Sequence, residues 1–231
     1  MAIGVRAMHL TIVPHVLAVA AAIMVLVWCI SFRGGLAWDS SDKSLIFNTH
    51  PVLMLIGFIL LSGEAIMCYK SLPLSKEVKK LIHLVVHAIA LILGIVGVYA
   101  AFKYHNESNI ANLYSLHSWL GIGVIVIYGL QWIYGFLVFF YPGGSGGLRS
   151  ESLPWHVLVG MFVYILAVAT AAIGFLEKLT FLEVSGVDKY GAEAYLVNFT
   201  AIVTILYGAF VVLTCFTQAH QADHDYSYSA I

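Results

Sequence analysis

The chain has 231 residues, 61% of them hydrophobic and only 10% charged, with a mean hydropathy of +0.93. Soluble domains carry roughly 25% charged residues, so a globule facing water on all sides is excluded. A net charge of −1 leaves no basic footprint, which excludes a nucleic-acid binder.

Six apolar runs meet the requirement of about 20 residues for crossing hydrocarbon as a helix. They cover roughly 8–31, 49–70, 79–102, 114–140, 154–176 and 195–216. The first begins near Met8 and is longer than a secretory h-region, which favours a membrane helix over a cleaved signal. Polar punctuation separates the runs: Arg33-Gly34-Gly35, Pro73, Asn106 to Asn112, and Pro142 to Gly147. Connections this short force neighbouring spans to be antiparallel. The expected fold is all-α, a polytopic membrane protein of six helices in one bundle with four of them at its core. One domain covers the chain, and 217–231, with His220, Asp223, His224 and Asp225, reads as a disordered cytoplasmic tail. Cys29, Cys68 and Cys215 all lie inside apolar runs, which argues against a disulfide framework.

An even number of spans puts both termini on one side. That side carries Arg6, Lys70, Lys76, Lys79, Lys80 and Arg149, against Arg33, Lys43, Lys103, Lys178 and Lys189 on the other. The dense lysines between spans two and three make the first side cytoplasmic. The other end gathers the acids Asp39, Asp42, Glu107, Glu177, Glu183, Asp188 and Glu193. The two ends are called here the lysine end and the acidic end.

Four runs open with a histidine: His50, His83, His117 and His156. Ionisable side chains in a membrane are costly and mark function by default. Alternating span direction puts His50 and His117 at one depth near the acidic end, and His83 and His156 at one depth near the lysine end. Neutral imidazole suits iron, and two imidazoles from facing helices can clamp a flat macrocycle that needs small residues beside it. Gly121 and Gly160 follow His117 and His156 by one turn, while Gly57 and Gly94 return to the faces of His50 and His83 at 3.6 residues per turn. Gly135 and Gly174 lie five turns beyond His117 and His156, near the depth of the opposite pair. Close packing between membrane helices is the other use for such glycines. Zinc wants about four ligands in a tetrahedron, which two histidines per end do not supply, whereas a porphyrin brings four nitrogens itself. With no Cys-x-x-Cys-His, a haem is held without thioether bonds. Two axial histidines leave no open position on iron, so electron transfer is the expected chemistry. The alternative is a proton- or metal-ion transporter using these histidines and Glu64, although transporters favour broken helices near the midplane.

Phe47-Asn48-Thr49-His50-Pro51-Val52, Lys79-Lys80-Leu81-Ile82-His83, Tyr114-Ser115-Leu116-His117-Ser118-Trp119 and Leu153-Pro154-Trp155-His156, at these spacings, resemble the cytochrome b561 family of ascorbate-reducible transmembrane cytochromes. Tyr141-Pro142-Gly143-Gly144-Ser145 and Phe32-Arg33-Gly34-Gly35-Leu36 are most similar to its plant, vacuolar-membrane branch. The resemblance implies a homodimer in membrane lipid with two non-covalent haems b per chain. It implies electron transfer from cytoplasmic ascorbate to monodehydroascorbate or ferric chelates across the membrane. Spacing alone leaves either His83 or His87 as the iron ligand; the family pattern assigns His83 and leaves His87 to a supporting role.

Ascorbate is a small anion, so its site is expected to be basic. Lys76, Lys79 and Lys80 precede His83, and Arg149 precedes His156 in a glycine-rich loop. Positive-inside topology explains the lysines equally well; the resemblance favours Lys76, Lys80 and Arg149 as contacts. At the acidic end the family pattern places a substrate-contacting histidine at His105, otherwise a solvated loop residue, with Tyr114 able to add a hydroxyl. Glu64 is the one carboxylate inside a run, and His9 and His15 in the first run have no partner at matching depth, which leaves them to packing or capping. Asn106-Glu107-Ser108 fits a glycosylation acceptor pattern.

Overall fold

The computed structural model describes residues 7–216, with side chains from Thr11 onward, so the expectation for 217–231 and the side chain of His9 lie outside the described residues. Six helices are long and apolar enough to cross a membrane: Thr11–Phe32, Ser44–Ser71, Lys76–Glu107, Leu116–Phe140, Gly146–Val184 and Ala192–Phe216, spans one to six. No strand occurs among the described residues. Ile12, Val16, Val19 and Ile23 of span one are all more than half exposed, an apolar face suited to lipid rather than water.

Spans two and three pack along each other, as do spans four and five, and these four form the centre. Spans one and six pack chiefly on one another and lean on spans two and five. Glycines set the close approaches. A Cβ on Gly57 would meet Leu93 at 2.8 Å, and one on Gly208 would meet Val168 at 2.9 Å.

Several spans begin earlier than the apolar runs suggest, and serine caps explain two of them, spans three and five. The Ser75, Ser115 and Ser145 side chains each accept from the backbone N–H three residues on, satisfying an otherwise orphaned donor at the helix start. Span five therefore starts at Gly146, with Pro154 inside it rather than at its head. Arg149 stands in the first turn of that helix, which corrects the expectation of a loop residue. Span two likewise starts at Ser44 and contains Pro51. A proline ring crowds the carbonyl four residues back and withholds a donor. The backbone responds with a wider π-helical stretch over Leu53–Leu60.

The connection after span one is held over the start of span two. Asn48 Nδ2 donates to the carbonyls of Arg33 at 3.0 Å and Gly35 at 2.8 Å. Gly34 and Gly35 sit at φ +83° and +117°, a region open to glycine at little cost. Arg33 forms a forked ion pair with Glu193 of span six, and Trp28 Nε1 donates to the same carboxylate at 3.0 Å.

Candidate functional site

Four helices bring the four histidines into two facing pairs. The rings of His50 and His117 lie 6.1 Å apart between centroids, and those of His83 and His156 lie 6.2 Å apart. Two metal–imidazole bonds of about 2 Å, plus about 1.1 Å from each nitrogen to its ring centre, span roughly 6 Å. Each pair thus leaves room for one metal between its imidazoles. Among the described residues no three His, Cys, Asp or Glu side chains converge on a common point. A metal held here must bring its remaining ligands with it, as a haem does.

The second nitrogen of each ring decides whether the first is free to coordinate. His50 Nδ1 lies 2.9 Å from the Gly97 carbonyl, His83 Nδ1 2.9 Å from that of Ala65, and His117 Nδ1 2.9 Å from that of Thr170. A carbonyl only accepts, so Nδ1 carries the proton and Nε2 presents its lone pair. Such a bond also fixes ring orientation around a metal. His156 differs. Gln131 Nε2 donates to the His156 carbonyl at 2.7 Å and stands 3.0 Å from Nδ1, which makes that nitrogen the acceptor. Turning the ring or moving the amide is required before His156 can present Nε2.

The glycines divide into two groups. A Cβ on Gly174 would meet the His117 ring at 2.5 Å, and one on Gly135 would meet the His156 ring at 3.0 Å. These two make room for the imidazole of the neighbouring span. On the ligand's own helix face, a Cβ on Gly121 or Gly160 would make only ordinary van der Waals contact, with Thr170 at 3.9 Å and Gln131 at 3.6 Å. Gly57 and Gly94 leave no room for a flat macrocycle, because Leu93 fills the space at one, and Phe58 and Ile125 fill it at the other. The π-helical stretch between His50 and Gly57 breaks the 3.6-residue phase that put Gly57 on the ligand's face.

At the acidic end a cavity of about 470 Å³ includes His50, His117, Gly121 and Gly174 in its lining, together with His105 and Tyr114. That volume is in the range of cofactor and small-ligand sites. His105 and Tyr114 stack at 6.2 Å, so the last turn of span three and the connection that follows it meet on the cavity wall. Burial, then the nearby Glu177 carboxylate, raises the Tyr114 phenol above its ordinary pKa and keeps the hydroxyl a donor. Sequence reasoning missed Lys178, which it counted among loop charges. Its Nζ lies 4.0 Å above the Phe47 ring, on the wall of this cavity. The available signal was its position one turn after Gly174.

The lysine end is more open. A cleft of about 340 Å³ lies against His156 and is lined by Gln131, Tyr134 and Glu151 among others. Lys76 is exposed. Lys80 lies 3.8 Å from Glu77 and reaches over the Phe140 ring at 5.8 Å, toward the connection that leads to Arg149. Lys79 is diverted, donating to the Tyr69 carbonyl at 3.2 Å. His87 packs its ring 4.3 Å from that of His83 and is tied through Nδ1 to the Tyr128 hydroxyl, which meets Ser62 Oγ at 2.8 Å. It supports the pair and faces no opposing imidazole of its own.

His15 contradicts its sequence reading as a residue without a partner at its depth. Its Nδ1 lies 3.1 Å from Glu64 Oε1. Spans one and two run antiparallel, and the pair meets where both are about the same distance from the lysine end, a match across helices that spacing along one helix cannot reveal.

Comparison with known proteins places these features among relatives. The profile of eukaryotic cytochrome b561 matches residues 49–182, which contain all four histidines. The chain is 66% identical to transmembrane ascorbate ferrireductase 1 of Arabidopsis thaliana, over the whole of both chains. It is 64% identical to the probable ascorbate-specific transmembrane electron transporter 1 of Oryza sativa subsp. japonica, covering 98% of each. The transmembrane ascorbate-dependent reductase CYB561 of Mus musculus is 40% identical, over 83% of this chain and 76% of its own.

Proposed function

The chain belongs to the eukaryotic cytochrome b561 family, which implies haem b, and on that premise we propose that it carries electrons across a membrane through two haems, one at each end. It is an ascorbate-dependent transmembrane oxidoreductase, like the relatives named above. The observation that carries the two-haem reading is the pair of facing imidazoles at each end, three of the four anchored through Nδ1 to main-chain carbonyls. His50 and His117 hold one haem and His83 and His156 the other. Each haem, when bound, would supply a reversible one-electron couple.

The rest is done by the chain's own residues. Lys76, Lys80 and Arg149 attract the ascorbate anion to the lysine end, where the open cleft against His156 leaves access. At the acidic end His105 and Tyr114 receive the acceptor, monodehydroascorbate or a ferric chelate, at the cavity shared with His50 and His117. The lysine end and both termini face the cytoplasm. The membrane is the vacuolar one, and the working unit is a homodimer in lipid.

Proteoliposomes loaded with ferricyanide and given external ascorbate test this. Internal reduction by vesicles whose protein shows a low-spin b-type spectrum and two haems per chain is the expected result. Haem-loaded protein that moves protons or metal ions without internal reduction is the transporter outcome and removes the proposal.

A further inference from the structure

Glu64 precedes Ala65, whose carbonyl takes His83 Nδ1. Its own side chain leaves the other side of span two, toward spans one and six. Besides His15 at 3.1 Å, Glu64 Oε1 has the Tyr207 hydroxyl at 3.4 Å, and that hydroxyl also donates to the Leu60 carbonyl at 2.8 Å. The Tyr164 hydroxyl stands with that of Tyr207 over Gly63, where a Cβ would collide with both. Tyr164 is 3% exposed, and its hydroxyl faces that of Tyr207 without a well-formed hydrogen bond among the described residues. A buried hydroxyl in that condition calls for an explanation.

The cluster lies roughly 10–12 Å from the lysine end, counting from Ser71 back to Glu64 and from Ala7 up to His15. The His15 and Glu64 side chains remain 43% and 36% exposed, on a belt that is otherwise apolar. A carboxylate and an imidazole at that depth are expensive to keep and mark function by default. The titratable groups facing Glu64 are His15 of span one, Tyr207 of span six and Tyr164 of span five. Cys215 lies beyond Tyr164, and Lys70 beyond Cys215. His83 and His87 of span three occupy the opposite side of span two.

Resting on the two-haem reading, we propose that the His15–Glu64 pair is a proton-binding site that takes up one proton when an electron arrives at the lysine end and gives it back when the electron leaves. The balance is simple. The ascorbate monoanion loses one electron and one proton to become monodehydroascorbate. The electron enters the lysine-end redox site, and one proton from water on that side makes an O–H or N–H bond at the pair. An added negative charge in a low-dielectric interior raises the proton affinity of a carboxylate nearby. Both leave together when the electron moves on, so the membrane interior never holds the added charge alone.

Redox titration of the purified haem-loaded protein at several pH values, with infrared difference spectra on reduction, tests the proposal. In the unmodified protein the reduction equilibrium of one haem should move up to tenfold per pH unit, which for one electron is 59 mV. A protonated-carboxyl band should rise on reduction. Glu64→Gln should remove both and leave the other haem unchanged. Tyr207→Phe, which keeps the carboxylate, should shift the band and move the pH range, and it serves as the test if Glu64→Gln does not fold. An unchanged slope and band in Glu64→Gln, with only thermal stability lost, shows a packing contact between helices and overturns the proposal. Unmodified protein holding one haem or none overturns the two-haem reading itself, and haem stoichiometry reveals that before any titration.

Discussion

At the acidic end both imidazoles of the pair lean on main-chain carbonyls, those of Gly97 and Thr170, whereas at the lysine end one leans on a carbonyl and the other accepts from the side chain of Gln131. The acidic pair lines a cavity that also takes in His105 and Tyr114; at the lysine end His156 alone of its pair lines a smaller, more open cleft. A main-chain anchor cannot be removed by substitution and holds one tautomer. A side-chain anchor can be tuned, and here it holds His156 in the opposite tautomer. One end is built to keep its geometry, and the other to admit a ligand and adjust.

The largest effect that tests this contrast comes from the histidines themselves. His117→Ala and His156→Ala should each lower a pyridine haemochrome count from two to one per chain and abolish transfer across vesicles. Losing both haems from either single change would show that the ends are not independent. Next come the two glycines that accommodate imidazole rings. Gly174→Ala places a Cβ 2.5 Å from a ring already bonded to Thr170, and overpacking of this kind costs about 1–3 kcal/mol. Gly135→Ala, with 3.0 Å to the His156 ring, should cost less, since the contact is looser and that ring is held by a side chain that can move with it. Thermal unfolding of the two variants gives the order, and the reverse order would remove the distinction between a fixed and an adjustable end.

Gln131→Leu acts on the lysine end alone. It releases His156 Nδ1 from the amide that makes it an acceptor, so the ring can present Nε2 without first breaking that contact. Haem uptake by haem-stripped protein should therefore speed up at one site of the two, and an equal change at both would contradict the separation. The smallest effect belongs to the lysines near the surface, exposed Lys76 and half-buried Lys80. Lys80→Ala, with Lys76→Ala, should raise the ascorbate concentration for half-reduction a few-fold, less at high salt because surface charges are screened. His105→Ala should leave that concentration alone and slow delivery to the acceptor. If the two phenotypes exchange, the assignment of donor and acceptor to the ends is inverted.

Much of this architecture is visible in the chain as written. Hydrophobic runs define six spans because a bilayer imposes a length, and alternating direction puts the histidines at paired depths without any knowledge of packing. The reading fails where a local rule is overridden. The second and fifth runs are read as starting at 49 and at Pro154, yet Ser44 and Gly146 begin their helices, and Pro51 and Pro154 are absorbed within them. Gly57 drops out of phase because the backbone after Pro51 widens. Gly94 keeps its phase, but Phe58 occupies its space. Lys178, Gln131 and the partner of His15 stay hidden because each depends on which helix faces which. The periodicity of one helix carries no information about its neighbour's rotation.

Arg33 and Glu193 are separated by 160 residues. At synthesis rates of about 5–20 residues per second, roughly ten to thirty seconds pass between the appearance of one and the arrival of the other. During that interval spans two to five are already made, while Arg33 and the indole of Trp28 wait for the carboxylate they will share. Asn48 can hold the connection after the first span early, but the fastening of the first span to the sixth at the acidic end comes only after the centre of the bundle exists.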